Sequence, residues 1–201
     1  MVCQFWWICD NSGMNAAAAP TFLSPEEYLS WEEQSDVKHE YIGGVVVAMP
    51  GASIPHNLIC INIVAELRGG LRGGPCRVLM ADVKARLSLA DKDLFYYPDV
   101  MVTCDAREKD QHYCRFPKLI VEVLSEGTEG IDRREKFWNY TQFESIEEYV
   151  LVAQDKIEVT IFRRENNWKP QVLRAENEQI EFRSVGVTVP TRAIYEGIQF
   201  Q

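Results

Sequence analysis

From Thr21 onward the hydrophobic positions fall into helical and strand periods separated by turn residues. "LSPEEYLSWEEQ" opens the first element. Ser24 stands as N-cap, Pro25 at the first helical position and Glu27 at the third, a capping-box arrangement that predicts a helix to about Gln34. "KHEYIGGVVVAMPG" predicts a hairpin turning at Gly43 and Gly44. A second helix is expected from about Pro55 to Arg68. There Leu58, Ile59, Ile61, Ile63, Val64 and Leu67 cover much of the circumference, as in a central helix packed by a sheet. "GGLRGG", residues 69–74, lacks the G-K-[ST] ending of a phosphate loop and follows a helix, so it reads as a C-cap and turn.

Three strands are predicted next, at 77–89, 94–104 and 118–125, with a polar connection at 105–116 between the last two. "GIDRREKFWNYTQF" starts a helix with Asp132 as N-cap and Glu135 at the third position. A meander of strands follows at 147–154, 156–165 and 168–175, then a last strand and a helical turn. The order gives an α+β, or mixed α/β, domain over residues 21–201. Residues 1–20 show no such pattern and are expected to be a disordered tail, with Met14 and "NAAAAP" resembling a natural start.

Composition narrows the function. A net charge of −9 argues against a generic nucleic-acid coat, although Arg68, Arg72, Arg77, Arg133, Arg134 and Lys136 could supply a local basic lip. No apolar stretch approaches the roughly 20 residues that span a bilayer, and the first ten residues make a poor signal peptide. The six cysteines, Cys3, Cys9, Cys60, Cys76, Cys104 and Cys114, contain no C-x-x-C pair and read as free thiols of a cytoplasmic protein. His112 and Cys114 alone do not make a zinc site.

The chemistry lies in two carboxylates. Residues 119–124 are apolar except for Glu122, and strands buried on both faces read as near-continuous apolar runs. Glu122 should therefore leave water, which is costly without a partner. Asp99 follows Pro98 at the start of another apolar strand, 23 positions earlier, a spacing that suits neighbouring strands joined by a loop. Two carboxylates held together repel unless a proton or cation is shared. Oxygen ligation with room for water suits Mg²⁺ or Mn²⁺.

"YYPDVMV" followed by "LIVEVLS" resembles the PD-(D/E)xK nuclease superfamily. With "HEYIGGVVVAMPG", "DRREKFWNY" and "EEYVLV", the chain resembles the Uma-type restriction-endonuclease family over roughly Thr21 to Ile198. The resemblance implies a restriction-endonuclease-like fold, a central mixed sheet flanked by helices, with a divalent metal held by Asp99 and Glu122. One departure matters. The superfamily lysine lies two residues after the glutamate, on the same strand face, and here that residue is Leu124. Lys136 is the best substitute and Lys84 the runner-up. Glu40 and Asp82 match acidic positions of the family that could complete the metal's shell. Ser125 and Thr128 are expected to shape the turn after the strand, and His56 either caps its helix or sits near the site.

The expected activity is metal-dependent hydrolysis of DNA, with a homodimer required to cut both strands. The competing expectation is a catalytically decayed nuclease-fold module that binds nucleic acid or protein, with Leu124 marking the loss. A carboxylate-pair sugar hydrolase is the weaker third reading, because no aromatic sugar platform is evident.

Overall fold

The computed structural model describes residues 22–89, 92–125 and 127–200, so the expected tail at 1–20 lies outside the described residues. Helix α1 (Pro25–Glu32) begins with its capping box. The Glu27 N–H donates to Ser24 Oγ at 3.3 Å and the Ser24 N–H to the Glu27 carboxylate at 2.8 Å. Strands β1 (His39–Ile42) and β2 (Val45–Ala48) form the hairpin, with Gly43 and Gly44 both at positive φ. Only glycine adopts that conformation freely.

Helix α2 (Ile54–Gly70) buries one stripe, Ile59, Cys60, Ile63 and Leu67, while Ile61 is 48% exposed. It lies on one face of a sheet and is not enclosed, which corrects the expectation of a helix packed around its circumference. Each large apolar side chain on that stripe contributes about 1.5–3 kcal/mol by leaving water.

Two predicted strands are in fact bent and shared between sheets. Residues 77–89 divide into β3 (Arg77–Met80) and β4 (Lys84–Ser88), and the next segment into β5 (Asp93–Tyr96) and β6 (Val100–Thr103). Both breaks fall side by side, since the N–H of Ala81, at φ 32°, donates to the Asp99 carbonyl at 3.2 Å. Pro98 has no N–H with which to continue a ladder. Apolar alternation is blind to such a bend because both halves remain buried.

β4 and β5 join a five-stranded sheet in the order β2-β1-β5-β4-β7, where β7 (Tyr113–Cys114) is a short strand within the polar connection at 105–116. β3 and β6 join β8 (Leu119–Leu124), β9 (Glu148–Ala153), β10 (Val159–Arg163) and β11 (Gln171–Leu173) in a six-stranded sheet ordered β11-β10-β9-β8-β6-β3. β8 runs antiparallel to β6 and parallel to β9, so that sheet is mixed. A helical segment links β8 to β9: α3 (Glu129–Ile131), a π-helical turn (Asp132–Lys136) and α4 (Phe137–Thr141). The hairpin of β12 (Gln179–Phe182) and β13 (Val187–Pro190) and the turn α5 (Thr191–Ile194) close the chain.

β8 alternates between two cores. Leu119, Val121 and Val123 pack with the buried stripe of α2, while Ile120 and Leu124 pack with Tyr140 and Tyr149 on the opposite face. Glu122 belongs by period to that second face. The cysteines depart from the free-thiol expectation in one respect. Cys76 and Cys104, which flank the paired ends of β3 and β6, form a disulfide, and Cys60 and Cys114 are free and buried. Cys3 and Cys9 lie outside the described residues.

Candidate active site

Antiparallel pairing of β6 and β8 sets Val100 against Val121, which brings Asp99 level with Glu122. Backbone N–H groups of the two strands hold both carboxylates. The Asp99 N–H donates to Glu122 Oε2 at 3.2 Å, and the Val123 N–H donates to Asp99 Oδ2 at 2.7 Å. Asp99 Oδ2 also lies 3.2 Å from His56 Nε2, on the first turn of α2. Glu122 is 3% exposed, and its Oε1 accepts from Lys136 Nζ and from the Tyr140 hydroxyl, each at 3.3 Å.

Lys136 reaches Glu122 from the helical segment laid over that face of β8. The position two residues after the glutamate, Leu124, is 5% exposed and packed in the apolar layer beneath the same segment. Asp132 is not the N-cap, and this corrects the sequence reading. The segment starts three residues earlier, after Thr128, and Asp132 is buried within it, 3.3 Å from Lys136 Nζ at i,i+4. Its carbonyl accepts from the Tyr149 hydroxyl at 2.9 Å. π-helical turns are frequent at functional sites, and here one carries both Asp132 and Lys136 toward the sheet. Glu40, on β1, completes the ring around the ammonium at 2.9 Å. Ser125 and Thr128 hydrogen-bond to each other across the turn that precedes the segment.

Three carboxylates thus enclose one ammonium, with Asp99 a fourth beside them. Burial pushes Glu122, Glu40 and Asp132 above the usual carboxylate range, although the Lys136 charge pulls each of them down. Burial also works against the Lys136 cation, but its three acidic neighbours outweigh it and hold the amine well above its ordinary value. Lys136 therefore stays an ammonium. It can donate hydrogen bonds and stabilise negative charge. Glu40 Oε1 and Asp132 Oδ1 are both buried, and each is held by the Lys136 ammonium, at 2.9 Å and 3.3 Å. Buried carboxylates outnumber the one ammonium they share, and that surplus of negative charge fits a divalent cation.

Asp99, Glu122, Lys136, Asp132, His56 and Tyr97 line one cavity of about 360 Å³. Asp82 and Lys84 stand apart from the cluster. The Asp82 side chain is 81% exposed and paired with Lys38, and the Lys84 ammonium sits 5.2 Å above the Tyr97 ring, lowered from its usual pKa by burial. The expected basic lip is divided: Arg68 and Arg72 line a separate small pocket, and Lys136 is buried among the acids. Arg133 pairs with Glu129 and Glu158, and Arg77 donates to the Glu108 carbonyl. A larger cleft of about 630 Å³ is lined by Arg86, Arg107 and Lys118, but each of these is paired with its own carboxylate. The smaller cavity differs in being lined by buried carboxylates that share a single ammonium.

Sequence reasoning missed Tyr140 and the burial of Asp132. Tyr140 lies four residues after Lys136, on the same helical face, and that spacing was its only signal.

Comparison with known proteins follows the same lines. Residues 25–191 match the family model Uma2, described as "Putative restriction endonuclease". An uncharacterized protein of Synechocystis sp., slr1290, is 34% identical over 180 residues, covering 89% of this chain and 94% of its own length. A second from the same organism, sll1609, is 32% identical over 174 residues, covering 84% and 97%. Among solved structures, the crystal structure of "a putative nuclease belonging to DUF820" from Anabaena variabilis superposes with a TM-score of 0.71 at 15% identity, covering 87% of this chain and 98% of that one. That likeness is one of fold, a mixed α/β domain with sheets flanked by helices.

Proposed function

The chain belongs to the Uma2 family, and from that premise we propose that it is a divalent-metal-dependent endonuclease hydrolysing phosphodiester bonds of DNA. The observation that carries the reading is Lys136 Nζ at 3.3 Å from Glu122 Oε1, supplied from a helix where the superfamily's own lysine position holds Leu124. A decayed site has no reason to keep a buried ammonium among three acids, since such an arrangement contributes little to stability.

Asp99 and Glu122 would hold the ion, Mg²⁺ or Mn²⁺, with Glu40 and Asp132 adding negative charge around it. When bound, a divalent cation activates water and polarises the scissile phosphate as a Lewis acid. Lys136 orients the attacking water and stabilises the charge that grows on the phosphoryl oxygens. Tyr140 and the Asp99 N–H fix the Glu122 carboxylate so that it presents the same oxygens in every turnover. One such site cuts one strand, so cutting a duplex through needs a second copy of the chain. No helix among the described residues is long and apolar enough to cross a membrane.

The test is a calorimetric titration with Mn²⁺ on wild type and Glu122→Gln, paired with nicking of supercoiled DNA. Wild type should bind and nick, and the variant should do neither. Undiminished Mn²⁺ binding by the variant would place the site elsewhere. Binding without cleavage of any nucleic acid would leave a non-catalytic module.

A further inference from the structure

We infer that His56 is a nitrogen ligand of this same divalent-ion site, and that it biases the site toward ions that accept nitrogen, such as Co²⁺, over Mg²⁺. The inference rests on the metal-site reading above, and it adds a residue that the nuclease pattern of two acids and a lysine does not include. Its support is geometric. The His56 N–H donates to Ser53 Oγ at 3.2 Å, which fixes the residue in the first turn of α2. The ring is 14% exposed and faces the cavity that holds Asp99, Glu122 and Lys136. Its Nε2 lies 3.2 Å from Asp99 Oδ2. Two adjacent ligands of an octahedral ion, each at about 2.1 Å, lie roughly 3 Å apart, so both atoms can reach one ion without rearrangement.

The other ring nitrogen is also placed. Nδ1 lies 3.6 Å from the Sγ of Cys60, one helical turn on, and one ligand atom from each of His56, Cys60 and Asp99 falls within 4.8 Å of the others. With Nε2 on an ion, Nδ1 carries the ring proton and donates it toward Cys60 Sγ. Metal-bound histidines ordinarily keep such a partner, which fixes tautomer and ring orientation. Cys60 is therefore a positioning residue.

The rival role for His56 is an orienting hydrogen bond to Asp99, with no contact to the ion. Ion preference separates the two. Imidazole strengthens binding of later first-row ions, whereas Mg²⁺ takes water in its place at little loss. An orienting bond would weaken all ions alike.

The experiment is titration of the full chain and of His56→Ala with CoCl₂ and with MgCl₂, followed by calorimetry and, for Co²⁺, by visible absorption. His56→Ala should lose about tenfold or more in Co²⁺ affinity and less than about threefold in Mg²⁺ affinity. The Co²⁺ absorption bands should shift between the two proteins. Equal losses for both ions, or an unchanged Co²⁺ spectrum, would overturn the nitrogen ligand. If His56→Ala does not fold, wild type decides: pulsed electron spin resonance of bound Mn²⁺ should show imidazole nitrogen coupling, and its absence overturns the inference. Binding of no divalent ion by wild type would instead remove the metal site as a whole.

Discussion

Two carboxylates on neighbouring strands, Glu122 on β8 and Glu148 on β9, are both buried and are treated in opposite ways. Glu148 meets one guanidinium, Arg163 Nε at 2.7 Å, and also accepts from the Arg183 N–H at 3.1 Å, the Ser184 N–H at 2.8 Å and the Ser184 hydroxyl at 2.5 Å. Arg163 also donates to Gln171 Oε1 and to the Glu181 carbonyl, both at 2.6 Å. Charge and hydrogen bonds close, and the pair ties β9 and β10 to the hairpin behind them. Glu122 shares its single ammonium with Glu40 and Asp132, so three carboxylates divide one positive charge. Burial of charge does not by itself mark a site. Burial without compensation does.

The sharpest way to break the comparison is to remove one member from each side. Arg163→Ala leaves Glu148 buried and unpaired, and should cost about 3–5 kcal/mol in urea denaturation. Glu122→Gln removes one of several mutually repelling acids, and should change the stability of the metal-free protein by no more than about 1 kcal/mol, in either direction. Equal losses would make the site a second structural pair.

Next in size is the lysine. Lys136→Ala should lower the cleavage rate by about 10²–10³, as expected for losing one preorganised donor to a developing oxyanion. Metal affinity should hold or rise, because the variant removes a cation from among the acids. A fall in metal affinity as large as the fall in rate would mean that Lys136 organises the ligands and has no part in the chemistry.

What could be read from the sequence follows the same division. Glu122 was legible because it interrupts an apolar strand, where a charge needs a reason, and Asp99 because it follows Pro98 at the start of another. Lys136 was legible only through the gap at Leu124. Asp132 was misread because Asp followed by Glu at the third position imitates a helix cap, and nothing local shows that the helix starts earlier. The strand bends at Ala81 and Pro98 were invisible because hydrophobic alternation passes through them unchanged, yet they place Asp99 where the two sheets part. The Cys76–Cys104 bond was hidden because it is made by strand pairing between residues 28 positions apart. Arg163 was equally silent: in "FRRE" nothing distinguishes it from a solvated arginine.

Metal should separate the two regions again, with a smaller effect. A ligand that binds only the folded protein stabilises it by about 2.7 kcal/mol at a hundred times its Kd. Thermal melting of wild type with and without Mn²⁺ should show that gain, and Glu122→Gln should lose it. Arg163→Lys, which leaves the site intact, should keep it. A gain retained by Glu122→Gln would assign the stabilisation to some other ion-binding surface.

The smallest expected effect is the slope of stability against pH in the metal-free protein. Burial raises Glu122, Glu40 and Asp132, with Lys136 opposing, and Asp99 raises His56 in spite of its burial. A carboxylate whose folded pKa is raised holds its proton longer in the folded chain than in the unfolded one. Above the unfolded value of about 4, stability therefore falls as pH rises. His56 acts with the same sign, since its contribution is complete below about 6.5 and is lost as pH passes through the raised folded value. Acids held low, such as Asp93 and Glu158, work the other way, but only below about pH 4. The Tm of the metal-free chain should accordingly fall between pH 5 and pH 8. Saturating Mn²⁺ should flatten or reverse that slope, because its ligands bind in their deprotonated forms. Glu122→Gln should flatten it without metal. A metal-free Tm that is level or rising over this range would mean that the fold already neutralises the surplus charge, and the contrast between Glu122 and Glu148 would lose its physical basis.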